Sequence, residues 1–286
     1  MPISSAHRFT EGDLPVEAGR YRLVVSGFCP WCRRVLIARR LLGLSEAIPV
    51  SLSYGRGNDG FWELTDEHGE PGVDPVLGCQ SVADVYATTP GYTPPPTIPA
   101  LVDMTTKQVV MADSGALLED LATAWKPLHA AGAPDLYPAD RQLAIKGWDE
   151  WIGEHINNAH GFITHTDDEE KAQMAADKFM ISLDVIDTIL ARATHMEPSR
   201  EAALTLTDPP ILASTLATGQ FLCGDEPTGP DIRLFTTMQA YVHGDRHRYP
   251  GGAPSISFWP ALARWFHALE SRPGWVGPEE RSALGI

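Results

Sequence analysis

Two changes of hydrophobic period open the chain. Residues 20–27, RYRLVVSG, hold a short apolar run with β-branched side chains, which predicts a strand. Residues 31–43, WCRRVLIARRLLG, then set Val35, Leu36, Ala38, Leu41 and Leu42 on one broad face with the arginines mostly turned outward, which predicts a helix. Pro30 suits the first helical turn, where its missing N–H costs nothing, and Gly43 suits the exit. AIPVSLSY, 47–54, predicts a second strand. From 55 to 96 the periodicity fades into a Gly- and Pro-rich stretch in which only 61–64 and 81–86 read as anchored. A stretch this long and irregular fits a functional loop or interface as readily as a surface insertion without a role. TIPALVDM (97–104) and KQVVMA (107–112) predict two strands around a turn at Thr105 and Thr106, and Asp113 or Ser114 can cap the helix SGALLEDLATAW.

Residues 127–138 predict a linker, after which the period is helical throughout. Ile145, Trp148, Ile152 and Ile156 recur at three- and four-residue steps, as do Phe179, Leu183, Ile186 and Leu190. A weaker helix is predicted around 210–218, and a well-marked one over TGPDIRLFTTMQAYV, where Thr228 and Asp231 stand at capping-box spacing with Asp in place of the usual Glu. A last helix, 258–269, stops near Pro273 and Gly274. The pattern therefore predicts an α/β domain over 1–126 interrupted by the 55–96 insertion, a linker over 127–138, and an all-α domain over 139–286.

Charge narrows the function classes. With 22 basic against 37 acidic residues the chain carries a formal charge of −15, which repels a phosphate backbone, so nucleic acid is not expected as a partner. No run reaches the ~18 apolar residues of a membrane span, and the first residues lack the apolar core of a secretory signal, so the expected location is cytoplasmic. The four cysteines, at 29, 32, 79 and 223, are too few to make disulfides a requirement of the fold. Cys79 and Cys223 stand alone and the ten histidines are scattered, so no metal site is expected.

The chemistry gathers at Cys29-Pro30-Trp31-Cys32. A thiol must ionise to attack sulfur or an electrophilic carbon, and a helix start stabilises that charge through its unpaired N–H groups and dipole. Cys29 occupies such a start, and Arg33 and Arg34 add positive potential, although only one of them can closely face the sulfur. Cys32, one turn on, is spaced either to resolve a disulfide on Cys29 or to sit inward as a small apolar residue. Ile98-Pro99 opens a strand where a cis proline would offer backbone N–H and C=O groups to a peptide-like thiol, as an added strand would, and an ordinary trans proline also fits there. Asp113 and Ser114, at a helix start, can cap it and can bind the charged end of such a thiol.

Taken together these residues resemble the glutathione transferase superfamily, and more closely its Xi-class glutathionyl-hydroquinone reductases, over most of the chain. Cys29-Pro30-Trp31-Cys32-Arg33-Arg34 matches a family pattern Cys-Pro-Trp-Ala-His-Arg, with Cys in place of Ala and Arg in place of His. Thr97-Ile98-Pro99, Asp113-Ser114, DLYP (135–138), EHINNAHGF (154–162) and DIRLFTT (231–237) resemble further signatures. The resemblance implies a thioredoxin-like amino-terminal domain, a helical acceptor-binding domain and a homodimer. It implies that Cys29 attacks the sulfur of a glutathionyl-hydroquinone, releases the quinol, and leaves a mixed disulfide that a second glutathione clears. It implies that Trp62, rather than its neighbour Phe61, packs on glutathione together with Ile98, Pro99, Asp113 and Ser114, and that Trp31, His160, Tyr241 and His243 lie on the acceptor side. A tyrosine that the family carries after its INN motif is missing from Ala159-His160-Gly161, and a later one is displaced by one position to Tyr241, which leaves the acceptor and the identity of the low-molecular-weight thiol open. Two other readings are a glutaredoxin-like disulfide reductase using Cys29 with Cys32, and a ligand-binding protein of the same fold without activity.

Overall fold

Leu23, Val24 and Val25 have no exposed surface, because β1 (Tyr21–Val25) runs through the middle of a sheet. In the computed structural model, which describes residues 7–57, 60–198 and 219–286, five strands form that sheet in the order β3-β2-β1-β4-β5. They are β2 (Val50–Arg56), β3 (Trp62–Leu64), β4 (Ala100–Asp103) and β5 (Gln108–Met111) around β1. β1 runs parallel to β2, while β2–β3, β1–β4 and β4–β5 are antiparallel. Helix α1 (Pro30–Leu41) supplies the crossover connection that a parallel pair requires, and it packs beside α3 (Ser114–Ala122). The order β-α-β, insertion, β-β-α is that of a thioredoxin-like domain.

Three details depart from the expectation. The arginines of α1 are not turned outward: Arg33, Arg34 and Arg39 are buried. Their heads reach polar groups inside, Arg33 the carbonyl of Phe28 at 3.2 Å and Arg39 that of Ser45 at 2.7 Å. The 55–96 stretch is not structureless. It contributes β3 and a helix, α2 (Val82–Ala87), which Ser81 and Asp84 start with a reciprocal capping box. Asp74 gathers the N–H groups of Val76 and Leu77, the Tyr86 hydroxyl donates to the Thr97 carbonyl at 2.9 Å, and the Thr89 hydroxyl accepts from the N–H of Val109.

The third departure is at the carboxy terminus. The chain divides into one unit of Met1–Pro134 with Val276–Ile286 and another of Asp135–Trp275, so the division expected at 139–286 assigns the last segment to the wrong side. That segment forms α9 (Pro278–Leu284), whose Glu280 is fully buried and accepts from Arg40 at 2.5 Å. Glu279 pairs with the same arginine at 3.2 Å. Gly27, in the turn after β1, is required for this approach, because a Cβ there would run into the Glu279 carbonyl.

The second unit is helical. It holds α4 (Gln142–Ile152), a π turn (Gly153–Asn157), α5 (Asn158–His165), α6 (Glu169–Ala193), α7 (Gly229–His243) and α8 (Pro260–Glu270). The expected stripes are its core: Ile145, Trp148, Ile152 and Ile156 are buried, as are Phe179, Leu183, Ile186 and Leu190, and Phe235, Trp265 and Phe266 join them. Thr228 and Asp231 form the expected capping box of α7. The helix expected around 210–218 lies outside the described residues. Among those residues no helix is long and apolar enough to cross a membrane.

Candidate active site

Sheet register brings the candidate residues to one end. Val24 pairs with Ala100, so the exit of β1 and the entry of β4 meet, and the turn carrying Cys29 faces Ile98-Pro99. Leu101 pairs with Met111, which sets the exit of β5, and with it Asp113 and Ser114, at the same end. Arg56 pairs with Trp62, so Trp62 also lies at this end, but on the edge strand two strands away from β1.

Cys29 is the N-cap of α1 in an extended conformation, φ −85° and ψ 117°, with Pro30 in the first turn and no acidic side chain there to oppose a thiolate. Cys29 is buried, and its sulfur lies 3.8 Å from the Ile98 carbonyl, to which the protonated thiol can donate; the Ile98–Pro99 bond is cis. The thiol's pKa is brought down to about 7, first by a hydrogen bond from the Cys32 side chain, then by the N–H groups of Cys32 and Trp31 and the charge of Arg33, all against the opposing effect of burial. Cys32 is fully buried, and both burial and its neighbouring thiolate push its own pKa well up. The two sulfurs therefore divide the roles: Cys29 ionises and Cys32 keeps its proton.

The arginines divide as well. Arg33 is the one whose charge acts on Cys29, while Arg34 turns toward α3, its Nη1 donating to the Ser114 hydroxyl at 3.2 Å and its guanidinium standing 5.9 Å from the Trp31 ring. Asp113 caps α3, one carboxylate oxygen accepting from the N–H groups of Gly115 and Ala116 at 2.8 Å each, on an exposed side chain. The result is a helix entrance with a hydroxyl, an acidic group and a buried cation behind it, suited to the charged end of a peptide-like thiol. Trp62 carries the Arg56 guanidinium 5.0 Å from its ring centre.

Residues 28–124 match the family described as glutathione S-transferase, N-terminal domain. Over 263 residues the chain is 30% identical to glutathionyl-hydroquinone reductase PcpF of Sphingobium chlorophenolicum, covering 89% of this chain and 73% of that one. The chain belongs to the glutathione transferase superfamily, in its Xi-class, glutathionyl-hydroquinone reductase-like branch. Among solved structures it is similar to glutathione transferase Xi 1 of Trametes versicolor, with a TM-score of 0.76 and 26% identity over 98% of this chain and 86% of that one. It is likewise similar to the glutathione-bound structure of YqjG, a glutathione transferase homolog from Escherichia coli, with a TM-score of 0.77 and 25% identity over 95% and 81%.

In this Xi-class chain the polar atoms of two residues expected on the acceptor side are engaged by neighbours. Tyr241 is fully buried and its hydroxyl donates to the Pro254 carbonyl at 2.5 Å, while burial pushes its pKa up. His160 is buried against the Tyr249 hydroxyl at 2.8 Å and Asp245 at 3.3 Å. Both belong to an aromatic cluster with Phe179 and Tyr249 that fastens α5, α6 and α7. His243 is partly exposed and bonds Glu270 at 2.6 Å beside a cleft of about 390 Å³ that Arg246 and His247 also line. Sequence reasoning missed Tyr249, whose ring sits six residues beyond α7, and it missed Phe28, whose exposed ring stands next to Cys29. The apolar residue before the motif was the available signal for the second.

A pH measurement checks the local electrostatics. Only the thiolate is alkylated, so the rate of carboxymethylation of Cys29 should rise with pH through a midpoint of about 7 and level off above it. Cys32→Ala removes the largest stabiliser of the charged form, so its midpoint should move upward toward the ordinary thiol range. An unchanged midpoint would contradict the hydrogen bond.

Proposed function

We propose that this chain is a glutathione-dependent thiol transferase of the reductase type, which removes glutathione from conjugated hydroquinones or related aromatics through a mixed disulfide on Cys29. The observation that carries the reading is the Cys29 thiolate at the mouth of α1, beside the Ile98 carbonyl and at the same end of the sheet as Ser114. The names of the PcpF and YqjG relatives support glutathione as the cosubstrate and a glutathionyl-hydroquinone as the type of conjugate.

The chemistry balances as follows. The Cys29 thiolate attacks the sulfur of the conjugate, an S–S bond forms, and the aryl C–S bond breaks with its electron pair on carbon. That carbon takes a proton from solvent to give the free quinol. A second glutathione, as thiolate, attacks the glutathionyl sulfur, releases oxidised glutathione and restores Cys29. The protein lowers the barrier by supplying an ionised nucleophile near neutral pH and by holding the conjugate's peptide part. Backbone at Ile98 suits strand-like pairing with that part, the Ser114 hydroxyl and the α3 entrance suit a carboxylate, and Asp113 suits an ammonium. Trp62 offers a flat wall at the sheet edge.

Ser114→Ala removes a hydroxyl from that entrance and should raise KM for the conjugate by about 10-fold, the scale of one to two kcal/mol for a hydrogen bond to a charged group, with a smaller change in kcat. The same assay, run with glutathione, mycothiol, bacillithiol and γ-glutamylcysteine, each paired with its own conjugate of one hydroquinone, should show saturation with glutathione. A strong preference for another thiol, without saturation by glutathione, would reject the donor and leave the Cys29 chemistry standing.

A further inference from the structure

The proposed transferase cycle leaves one reactive group unused. Cys32 is a fully buried thiol whose side chain is hydrogen-bonded to the nucleophile, at a position where an apolar side chain would fill the space. Residues three apart at a helix start have Cα atoms about 5 Å apart, inside the ~4.4–6.8 Å range of disulfides. Cys79 and Cys223 are the other free thiols, far along the chain and in neither case bonded to Cys29 or Cys32 among the described residues.

We propose that Cys32 makes the site a reversible thiol-peroxidase centre, in which a hydroperoxide oxidises Cys29 and the pair closes to an internal disulfide that glutathione reopens. This rests on Cys29 being the thiolate nucleophile and not on the identity of the aromatic acceptor.

In the first step the Cys29 thiolate attacks the outer peroxide oxygen, the O–O bond breaks, and the departing alkoxide or hydroxide takes a proton, leaving Cys29 as a sulfenic acid. In the second, the Cys32 sulfur attacks the Cys29 sulfur, an S–S bond forms, the S–O bond breaks, and the departing hydroxide leaves as water with the Cys32 proton. One glutathione then opens the disulfide at Cys29, the more accessible of the two sulfurs, and a second releases oxidised glutathione. The net change is one hydroperoxide and two glutathiones to one alcohol or water, one water and one oxidised glutathione.

Timing is built into the pair. While Cys29 is a thiolate, Cys32 donates to it and stands beside its charge, and both effects hold the Cys32 proton on. Oxidation of Cys29 to a neutral sulfenic acid removes both at once. What remains is burial on one side and, on the other, a backbone hydrogen bond at Ser26 and the charge of Arg33, which favour the thiolate. Burial, the largest of the effects holding the Cys32 proton on, persists, but oxidation of Cys29 removes the two that come from its thiolate, so Cys32 gives up its proton more readily after Cys29 has been consumed than before.

The test uses the full chain, one equivalent of hydrogen peroxide, and N-ethylmaleimide to label the thiols that remain. Trypsin cleavage after Arg22 and Arg33 leaves both cysteines in one peptide, 23–33. The expected peptide is two hydrogens lighter and unlabelled, and glutathione restores two labelled thiols. In Cys32→Ala, given three equivalents of hydrogen peroxide, Cys29 should gain two or three oxygens that glutathione does not remove, whereas the wild-type chain given the same three equivalents should keep most of its recoverable thiol. Oxygenated Cys29 beside labelled Cys32 in the wild-type chain would overturn the proposal while leaving Cys29 as the nucleophile. A peptide untouched by peroxide would overturn it too, and if transferase turnover were also absent, the Cys29 reading would fall with it. The wild-type result decides the matter even if the variant does not fold.

Discussion

Replacing Cys29 by serine is expected to abolish removal of glutathione from the aromatic conjugate, lowering kcat by on the order of 10³-fold or more, as loss of a covalent nucleophile does. The hydroxyl has the same place and nearly the same shape, but it is not ionised near neutral pH and makes no disulfide-like bond. The fold should be unharmed, since Cys29 is the N-cap of α1 and serine is a preferred residue there. Circular dichroism and the urea midpoint of the variant should therefore match the parent or exceed it slightly. Turnover within a few-fold of the parent, in a folded variant, would remove Cys29 from the mechanism.

The second large effect falls on stability. Asp231 is fully buried and its carboxylate accepts from the N–H groups of Leu222 and Thr228, the Thr228 hydroxyl and the Trp265 indole, at 2.9–3.1 Å. Burial pushes its pKa up, and those donors act in the opposite direction. Alanine at 231 would strand all of these donors in a dry interior and remove the start of α7, so Asp231→Ala should lower the free energy of unfolding by about 3–5 kcal/mol. Asparagine keeps an acceptor oxygen and should recover part of the loss. Urea denaturation followed by the fluorescence of the chain's eight tryptophans, Trp265 among them, reads the change. A loss below about 1 kcal/mol would mean that water replaces the carboxylate and that the capping box is dispensable.

That capping box was legible as Thr-x-x-Asp before an apolar run, because the spacing alone decides which N–H groups a side chain can reach. The active-site turn was legible for a related reason: the period changes from two to three and four at Cys29, and Pro30 can stand only in a first turn. α9 carries a start signal as clear, Gly277-Pro278-Glu279-Glu280, but Pro273 and Gly274 read as the stop of the last helix. What local pattern could not show is that Arg40 waits for Glu280 some 240 positions away. The buried heads of Arg33, Arg34 and Arg39 were misread for the same reason, since a charged residue reads as exposed until its partners are known. His160 and Tyr241 were assigned to the acceptor side by likeness, whereas their polar atoms are taken up by Tyr249, Asp245 and Pro254. A ring in a motif says which residue is there, and its neighbours in space decide where its polar end points.

The central claim is that the sulfur of Cys29 takes up the glutathionyl group. The measurement that tests it most directly is a single turnover without free thiol: the chain mixed with one equivalent of a glutathionyl-hydroquinone, the released quinol counted, and peptide 23–33 weighed. The predicted result is one quinol per chain, with the peptide carrying either a glutathionyl group on Cys29 or the internal disulfide, and only the glutathionyl form in Cys32→Ala. Quinol released while both cysteines remain free thiols, or no quinol until glutathione is added, would contradict it.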